Sequence, residues 1–356
     1  MTRGNRARRS CLAVPGSSPR FLEKAQGLNA DHVLLDLEDA VAPEAKRDAR
    51  AHVATALRVG HWDGKVTTVR VNDALTGWAY RDVIDVVEQA GQHLDAIVLP
   101  KVSGPDQISW LDLLLGQVEQ ATGLPPGRIG IEAQIEDARG LAEVDAIAGA
   151  SPRLEALVFG PADFMASLGM RSLEIGAQPQ GYAGGDAFHY PLLRMLVAAR
   201  ARGLQAIDGP YAAIGDDDGL RRSAVSAAAL GYDGKWVIHP GQIEIVNAAF
   251  SPGQAEYDRA ELILEAYEYY TTVENRGAAR LDGEMIDEAT RKLALVAAAR
   301  GRAARLTRTS RFRPPAPGPE HRSQPLPARR EVTDFERYGR PGVGSDASQD
   351  SGSMRG

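Results

Sequence analysis

Val33-Leu34-Leu35-Asp36-Leu37-Glu38-Asp39 passes from unbroken apolar residues into three acids within seven positions. A short apolar run without polar alternation reads as a strand buried on both faces, as in a parallel sheet. The acids that end it have no packing reason to be there. The same grammar recurs along the chain. Thr68-Val69 runs into Arg70, and Ala96-Ile97-Val98-Leu99 into Pro100-Lys101. Ile129–Ile135 runs into Glu136, and Ala156-Leu157-Val158-Phe159 into Gly160-Pro161-Ala162-Asp163. Gln205-Ala206-Ile207 meets Asp208-Gly209-Pro210, and Lys235-Trp236-Val237-Ile238 meets His239-Pro240. In a parallel β/α barrel the C-terminal strand ends form the active-site mouth, so polar residues gathered there read as chemistry.

Counting Ser10–Val14 as the first, there are eight strand candidates at about the 30-residue pitch of a (β/α)8 TIM barrel. Helical patterns follow them at 19–29, 43–58, 78–91, 105–122, 137–148, 191–202 and 217–230, several opening with proline near the first turn. An open doubly wound sheet would normally carry a glycine-rich dinucleotide turn after its first strand. No GxGxxG or Walker-type motif occurs. The expected organisation is a basic flexible N-terminus at 1–8, a barrel at 9–250, a helical extension at 251–307 and a disordered tail at 308–356. The tail loses apolar periodicity and fills with Arg, Pro, Ser and Gly. The glycine-rich stretch 169–190 reads as a mobile loop at the mouth.

With 41 basic and 47 acidic residues the chain carries a formal charge of −6, which suits a soluble protein and gives no nucleic-acid signal. No apolar run is long enough to span a bilayer, and the basic start is followed by too short an apolar stretch for a cleaved signal peptide. The single cysteine, Cys11, falls inside the first strand and reads as a core residue in a cytoplasmic protein.

Glu136 and Asp163 end consecutive strand candidates, and two carboxylates with few other ligand types suit Mg²⁺, with Mn²⁺ as a substitute. The bland alternative is a charge pair with Arg139. Asp36, Glu38 and Asp39 could bond metal-bound waters, and Asp39 equally could cap the next helix. Arg70 could bind a carboxylate or stabilise an oxyanion, or pair internally with a mouth acid. Lys101 has the choice of a Schiff-base role or an electrostatic one. Arg20 and Lys24 share one face of the first helix behind a turn of small residues, which suits phosphate. His239 reads as either mouth-lining or structural.

These residues, taken in order, resemble the citrate lyase β-subunit/malyl-CoA lyase group, the CoA-ester lyases of the HpcH/HpaI aldolase superfamily. The resemblance rests on Val14–Arg20, Leu35–Val41, Val69–Asn72, Leu99–Val102, Ile135-Glu136, Gly160–Phe164, Ile207–Pro210 and Ile238–Pro240. It implies a Mg²⁺-dependent TIM barrel that cleaves or forms a C–C bond beside a CoA thioester, such as malyl-CoA or β-methylmalyl-CoA from glyoxylate and acetyl-CoA or propionyl-CoA. Citramalyl-CoA or citryl-thioester cleavage and malyl-CoA thioester hydrolysis are the neighbouring activities. The resemblance puts Glu136 and Asp163 on the metal ligands, Arg70 on the catalytic arginine, and Arg20 and Lys24 on the CoA phosphate contacts. Gly283–Asp287 matches a C-terminal motif whose aspartate enters a neighbouring subunit's site, which makes Asp287 the acid/base and implies a homotrimer or homohexamer. The chain departs from typical malyl-CoA lyases between Met170 and His189, where the loop is shorter and Phe188 replaces a frequent tryptophan.

Overall fold

Eight parallel strands close on themselves in chain order. They are β1 (Ser10–Pro15), β2 (His32–Asp36), β3 (Val66–Arg70), β4 (Ala96–Leu99), β5 (Gly130–Ile135), β6 (Leu154–Phe159), β7 (Gln205–Asp208) and β8 (Gly234–Val237). The computed structural model describes residues 6–314. Almost every strand residue is buried, as the apolar runs require, because helices cover the outside and side chains fill the inside. The inside is packed by Cys11, Leu34, Val98, Ala156, Ile207 and Trp236. Register then fixes the mouth: Asp36 is the cross-strand partner of Arg70, so the two charges leave the sheet side by side.

The outer layer begins with α1 (Pro19–Gln26), α2 (Lys46–Val59), α3 (Ala79–Ala90) and α4 (Pro105–Thr122). The single helix expected after β5 is two short ones, α5 (Ala138–Ala142) and α6 (Val144–Ala148). Directly after β6 comes α7 (Pro161–Ser167), which the sequence pattern missed, being short. It moves Asp163 from the strand end into the first turn of a helix. Then follow α8 (His189–Ala201), α9 (Asp217–Leu230) and α10 (Ile243–Ala249). No described helix is long and apolar enough to cross a membrane.

Beyond the barrel, α11 (Gln254–Thr272) packs on α12 (Glu288–Ala303) through Tyr257, Ala260, Ala294 and Ala298. Between them lies a hairpin, β9 (Ala279–Leu281) and β10 (Glu284–Ile286). Its two-residue turn, Asp282-Gly283, has φ of 50° and 92°, the left-handed pair that a tight hairpin requires. Arg300 of α12 donates to the carbonyls of Gly231 and Tyr232, 3.1 Å each, in the loop that enters β8. The far half of α12 therefore sits at the N-terminal rim of the strands, opposite the mouth.

Two expected boundaries are corrected. Residues 6–8 do not hang free: Arg8 is buried under the barrel floor, paired with Glu132 at 3.0 Å and Glu155 at 2.6 Å, and Arg6 pairs with Asp95. The tail expected from 308 begins with a packed stretch: Arg308 forks onto Glu265, and Phe312 lies against Tyr269 and Tyr270. These partners lie far away in sequence, so composition alone did not reveal them. The tail expected over 315–356 lies outside the described residues.

Candidate active site

The C-terminal strand ends bring together five carboxylates and two cations. Arg70, at the end of β3, donates from Nε and Nη2 to Asp36 at 2.7 and 2.6 Å, a two-pronged bond, and from Nη1 it faces Glu38 at 3.0 Å. Beneath it the Trp236 ring lies 5.4 Å from the guanidinium carbon. Burial works against the Arg70 charge, yet Asp36 and then Glu38 outweigh it and raise its pKa. The internal pair is thus made, and it leaves two of the five N–H groups for other partners.

Lys101 follows β4 with φ of 52°, a left-handed conformation uncommon outside glycine. The conformation sends its backbone N–H to Glu136 Oε1 at 2.6 Å, while its Nζ reaches Glu38, Asp39 at 3.5 Å and Asp163 at 3.6 Å. An ammonium ringed by three carboxylates is held charged, and burial notwithstanding its pKa is raised by Glu38 and Asp39. That environment disfavours a Schiff-base role, which needs a neutral amine.

Glu136 is buried, and both of its oxygens accept from neutral donors: Oε1 from Lys101 N, Oε2 from the Gln134 amide at 2.6 Å. Burial first, then the carboxylates of Glu38 and Asp163, push its carboxyl up to about 8. Arg139 makes no pair with it. Asp163 opens to solvent, with 44% of its side chain exposed, and Asp39 more so at 61%. Five acids against Arg70 and Lys101 leave the mouth short of positive charge. A divalent cation between Glu136 and Asp163 fits that deficit, with water and substrate oxygens as remaining ligands. Among the described residues no cluster of three or more His, Cys, Asp or Glu side chains is arranged as a metal cage.

The remaining expected residues are dispersed. Arg20 and Lys24 lie exposed on α1 and make no ion pair among the described residues. Gly16 ahead of them has no room for a side chain, because a Cβ would stand 2.7 Å from the Asp36 carbonyl. Asp39 is not a helix cap, since Pro43–Ala45 and then α2 start without one. His239 is exposed, and its Nδ1 accepts from Gly241 N at 3.1 Å. Asp287 caps α12, accepting from Thr290 N at 2.9 Å, and none of its bonds reaches a mouth residue. The loop 169–188 covers the outer side of β6 and β7.

Sequence reasoning missed the supports. Gln134, the inward residue two before Glu136, orients that carboxylate; the alternation 132, 134, 136 along β5 was a readable signal. Lys46 holds the loop that carries Glu38, donating to the carbonyls of Leu37 and Glu38 at 3.0 Å each, with Trp78 over its ammonium at 5.2 Å. Asn72, fixed by Asp82, bonds the same Leu37 carbonyl at 3.0 Å.

Residues 9–240 match the family described as HpcH/HpaI aldolase/citrate lyase. An L-malyl-CoA/beta-methylmalyl-CoA lyase of Cereibacter sphaeroides is 38% identical over 299 residues, which is 82% of this chain and 93% of that one. A (3S)-malyl-CoA thioesterase of the same organism is 37% identical over 279 residues, 78% of this chain and 89% of that one. Among solved structures, the protein CitE of Mycobacterium tuberculosis in complex with magnesium, acetoacetate and coenzyme A superposes with a TM-score of 0.65 at 28% identity, covering 84% of this chain and 99% of that one. With the closed parallel barrel, the acidic mouth and these matches in hand, the chain belongs to the HpcH/HpaI aldolase/citrate lyase family.

Proposed function

We propose that this protein is a Mg²⁺-dependent carbon–carbon lyase of CoA thioesters, acting on malyl-CoA or β-methylmalyl-CoA. The observation that carries the reading is the mouth, where five carboxylates face two cations and Glu136, held only by neutral donors, stands with Asp163 beside a buried, oriented Arg70. The lyase and CitE relatives agree in chemistry, the one named for malyl-CoA cleavage and the other holding magnesium and coenzyme A.

Glu136 and Asp163 would hold the metal. When bound there, magnesium supplies Lewis-acid polarisation of the 2-oxo acid's carboxylate and carbonyl oxygens. Arg70, locked by Asp36, presents its two remaining N–H groups to negative charge that develops in the reaction, with no reorganisation needed. Lys101 and Glu38 keep the neighbouring charges fixed. Arg20 and Lys24 take the CoA phosphates. In cleavage the bond between the α- and β-carbons breaks, its electron pair passes to the acyl-CoA α-carbon, and a proton delivered there completes acetyl-CoA or propionyl-CoA. The β-carbon, having lost its hydroxyl proton, leaves as the carbonyl of glyoxylate. Asp287 supplies the α-carbon proton from a neighbouring copy of the chain in a homotrimer or homohexamer. Its place supports this to the extent that Asp287 caps α12 in the extension beyond the barrel and none of its hydrogen bonds reaches a mouth residue of its own chain.

The test is release of 2-oxo acid from malyl-, β-methylmalyl-, citramalyl- and citryl-CoA, with Mg²⁺ and after EDTA. Glu136→Gln and Asp163→Asn should each abolish turnover. No release from any ester, or full activity in EDTA, refutes the reading. A second reading is malyl thioester hydrolysis, favoured by the thioesterase's nearly equal identity. It predicts free CoA and malate in place of acetyl-CoA and glyoxylate.

A further inference from the structure

Behind the barrel wall, between β7, α8 and α9, lies a cavity of about 480 Å³ that the proposed reaction does not use. We propose that it is a second ligand site, taking a small organic anion with an oxyanion head and an apolar body. Volumes of this size are typical of small-molecule pockets.

Its floor is the ion pair of Lys235 with Asp208, 2.6 Å, both buried. Ile207 and Trp236 point into the barrel, so Asp208 and Lys235, their strand neighbours, point out of it into this space. Asp208 is fully engaged: Oδ2 takes the lysine and Oδ1 takes Gly209 N at 2.8 Å. Lys235 is not. Its ammonium has three N–H groups, and among the described residues Asp208 is its one hydrogen-bond partner, although the side chain is only 2% exposed. A buried donor without a partner is costly, so two spare ammonium hydrogens facing a cavity call for an acceptor.

One face of α9 supplies more donors. Arg222, Ser223 and Ser226 line the cavity, and none makes a side-chain hydrogen bond or ion pair among the described residues. Asp216, whose charge Arg222 feels, is already bonded to Tyr211 at 2.6 Å and Gly219 N at 2.9 Å. Opposite, Asp186 Oδ1 takes the Gln178 amide and Phe188 N and Gln178 Oε1 takes Ala187 N, while Asp186 Oδ2 accepts no hydrogen bond among the described residues. The lining charges balance, two cations to two carboxylates. The preference for an anion therefore comes from the buried Lys235 ammonium, with Arg222 and Ser226 exposed at the rim as further donors. Phe159, Phe188, Leu192 and Pro210 form the remaining wall, a surface suited to an apolar body.

The site is separate from the mouth. At Gly209 a side chain would stand 2.2 Å from the Pro161 ring and 2.4 Å from the Phe159 carbonyl, so the chain after β7 packs directly on the start of α7 there. The shared wall is nonetheless informative, because Pro161 lines the cavity and Asp163 is two residues further along the same helical turn. The loop 169–188 roofs the cavity, held at Ala212, whose N–H donates to the Ile175 carbonyl at 3.1 Å.

Calorimetric titration of the full-length protein in Mg²⁺ buffer with benzoate and with phenyl phosphate tests this. At least one should bind, and the stronger of the two identifies the headgroup as carboxylate or phosphate ester. Arg222→Ala, and Ser226→Leu, which fills the cavity from its rim, should each weaken binding by about tenfold or more, the loss of roughly one charge-assisted hydrogen bond. Neither should alter the basal lyase rate or the melting temperature. Arg20→Ala/Lys24→Ala should leave this binding unchanged. Absence of binding by both probes overturns the proposal. So does binding that survives both cavity substitutions, or that disappears with Arg20 and Lys24.

Discussion

Gly160→Ala is the sharpest probe of the mouth. A Cβ at 160 would stand 2.4 Å from Glu136 Oε2, 2.5 Å from Glu136 Cβ and 2.9 Å from the Gln134 amide nitrogen. Favourable contact between such atoms begins near ~3.5 Å, so the Glu136 carboxylate must retreat by about 1 Å. Rotation of the side chain does not suffice, because its Cβ is obstructed as well. A misplacement of this size costs on the order of 100-fold in turnover, and overpacking costs about 1–3 kcal/mol of stability. For a barrel of this size that is a melting shift of roughly 2–10 °C. Turnover, the Mg²⁺ concentration for half-maximal activity and the melting temperature should be measured together. Gly77→Ala, where nothing lies within 4 Å, is the silent control. Gly234→Ala, whose Cβ would stand 1.7 Å from the Arg8 carbonyl, should lose stability at the opposite end of the barrel. If Gly160→Ala folds and keeps wild-type turnover and Mg²⁺ dependence, Glu136 is not the metal-binding carboxylate.

Asp287→Asn should lower turnover by about 10²–10⁴ yet keep the helix cap, since Asn caps as well as Asp; mixing it with Arg70→Ala subunits should restore activity, and failure despite subunit exchange refutes action across an interface. A chain ending at Thr307 should be less stable than one ending at Pro314 by about 1 kcal/mol, the worth of an aromatic cluster such as Phe312 makes with Tyr269 and Tyr270; equal melting temperatures would refute this. His32 is buried and bonded to Thr68 at 2.7 Å, and burial, then Arg8, holds its pKa well below the usual value. A depressed folded-state pKa means stability is complete above the unfolded value of about 6.5 and falls as acid is added, by up to about 1.4 kcal/mol per pH unit. Thermal melts of His32→Gln should lose this part of the slope between pH 7 and 5; an unchanged slope would refute the assignment.

The strands were legible because most are short apolar runs buried on both faces, a pattern needing no knowledge of partners; β3 and β5 carry polar residues inside theirs. The charged ends were legible for the same reason: Glu136 and Arg70 break a local rule. What escaped depends on distance in the chain. Nothing local ties Arg8 to Glu132 and Glu155, Phe312 to Tyr269, or Lys46 to the Leu37 carbonyl. Arg70 showed its position in the sequence but not its bond to Asp36, which register creates across two strands. The hairpin at Asp282-Gly283 carried its turn signal openly, yet strands of three residues are too short for any periodicity.

Lys101 has a further meaning for how this barrel evolves. A lysine at φ 52° costs about 1 kcal/mol or more relative to glycine, which adopts that backbone freely. Glycine at 101 would retain the N–H that Glu136 accepts and would relieve the strain, while deleting the ammonium that three carboxylates share. That ammonium offsets Glu38, Asp39 and Asp163, and without it five acids would face Arg70 alone, a loss larger than the strain relieved. The left-handed turn at 101 is thus kept by charge, and a screen for stability alone should leave the lysine in place.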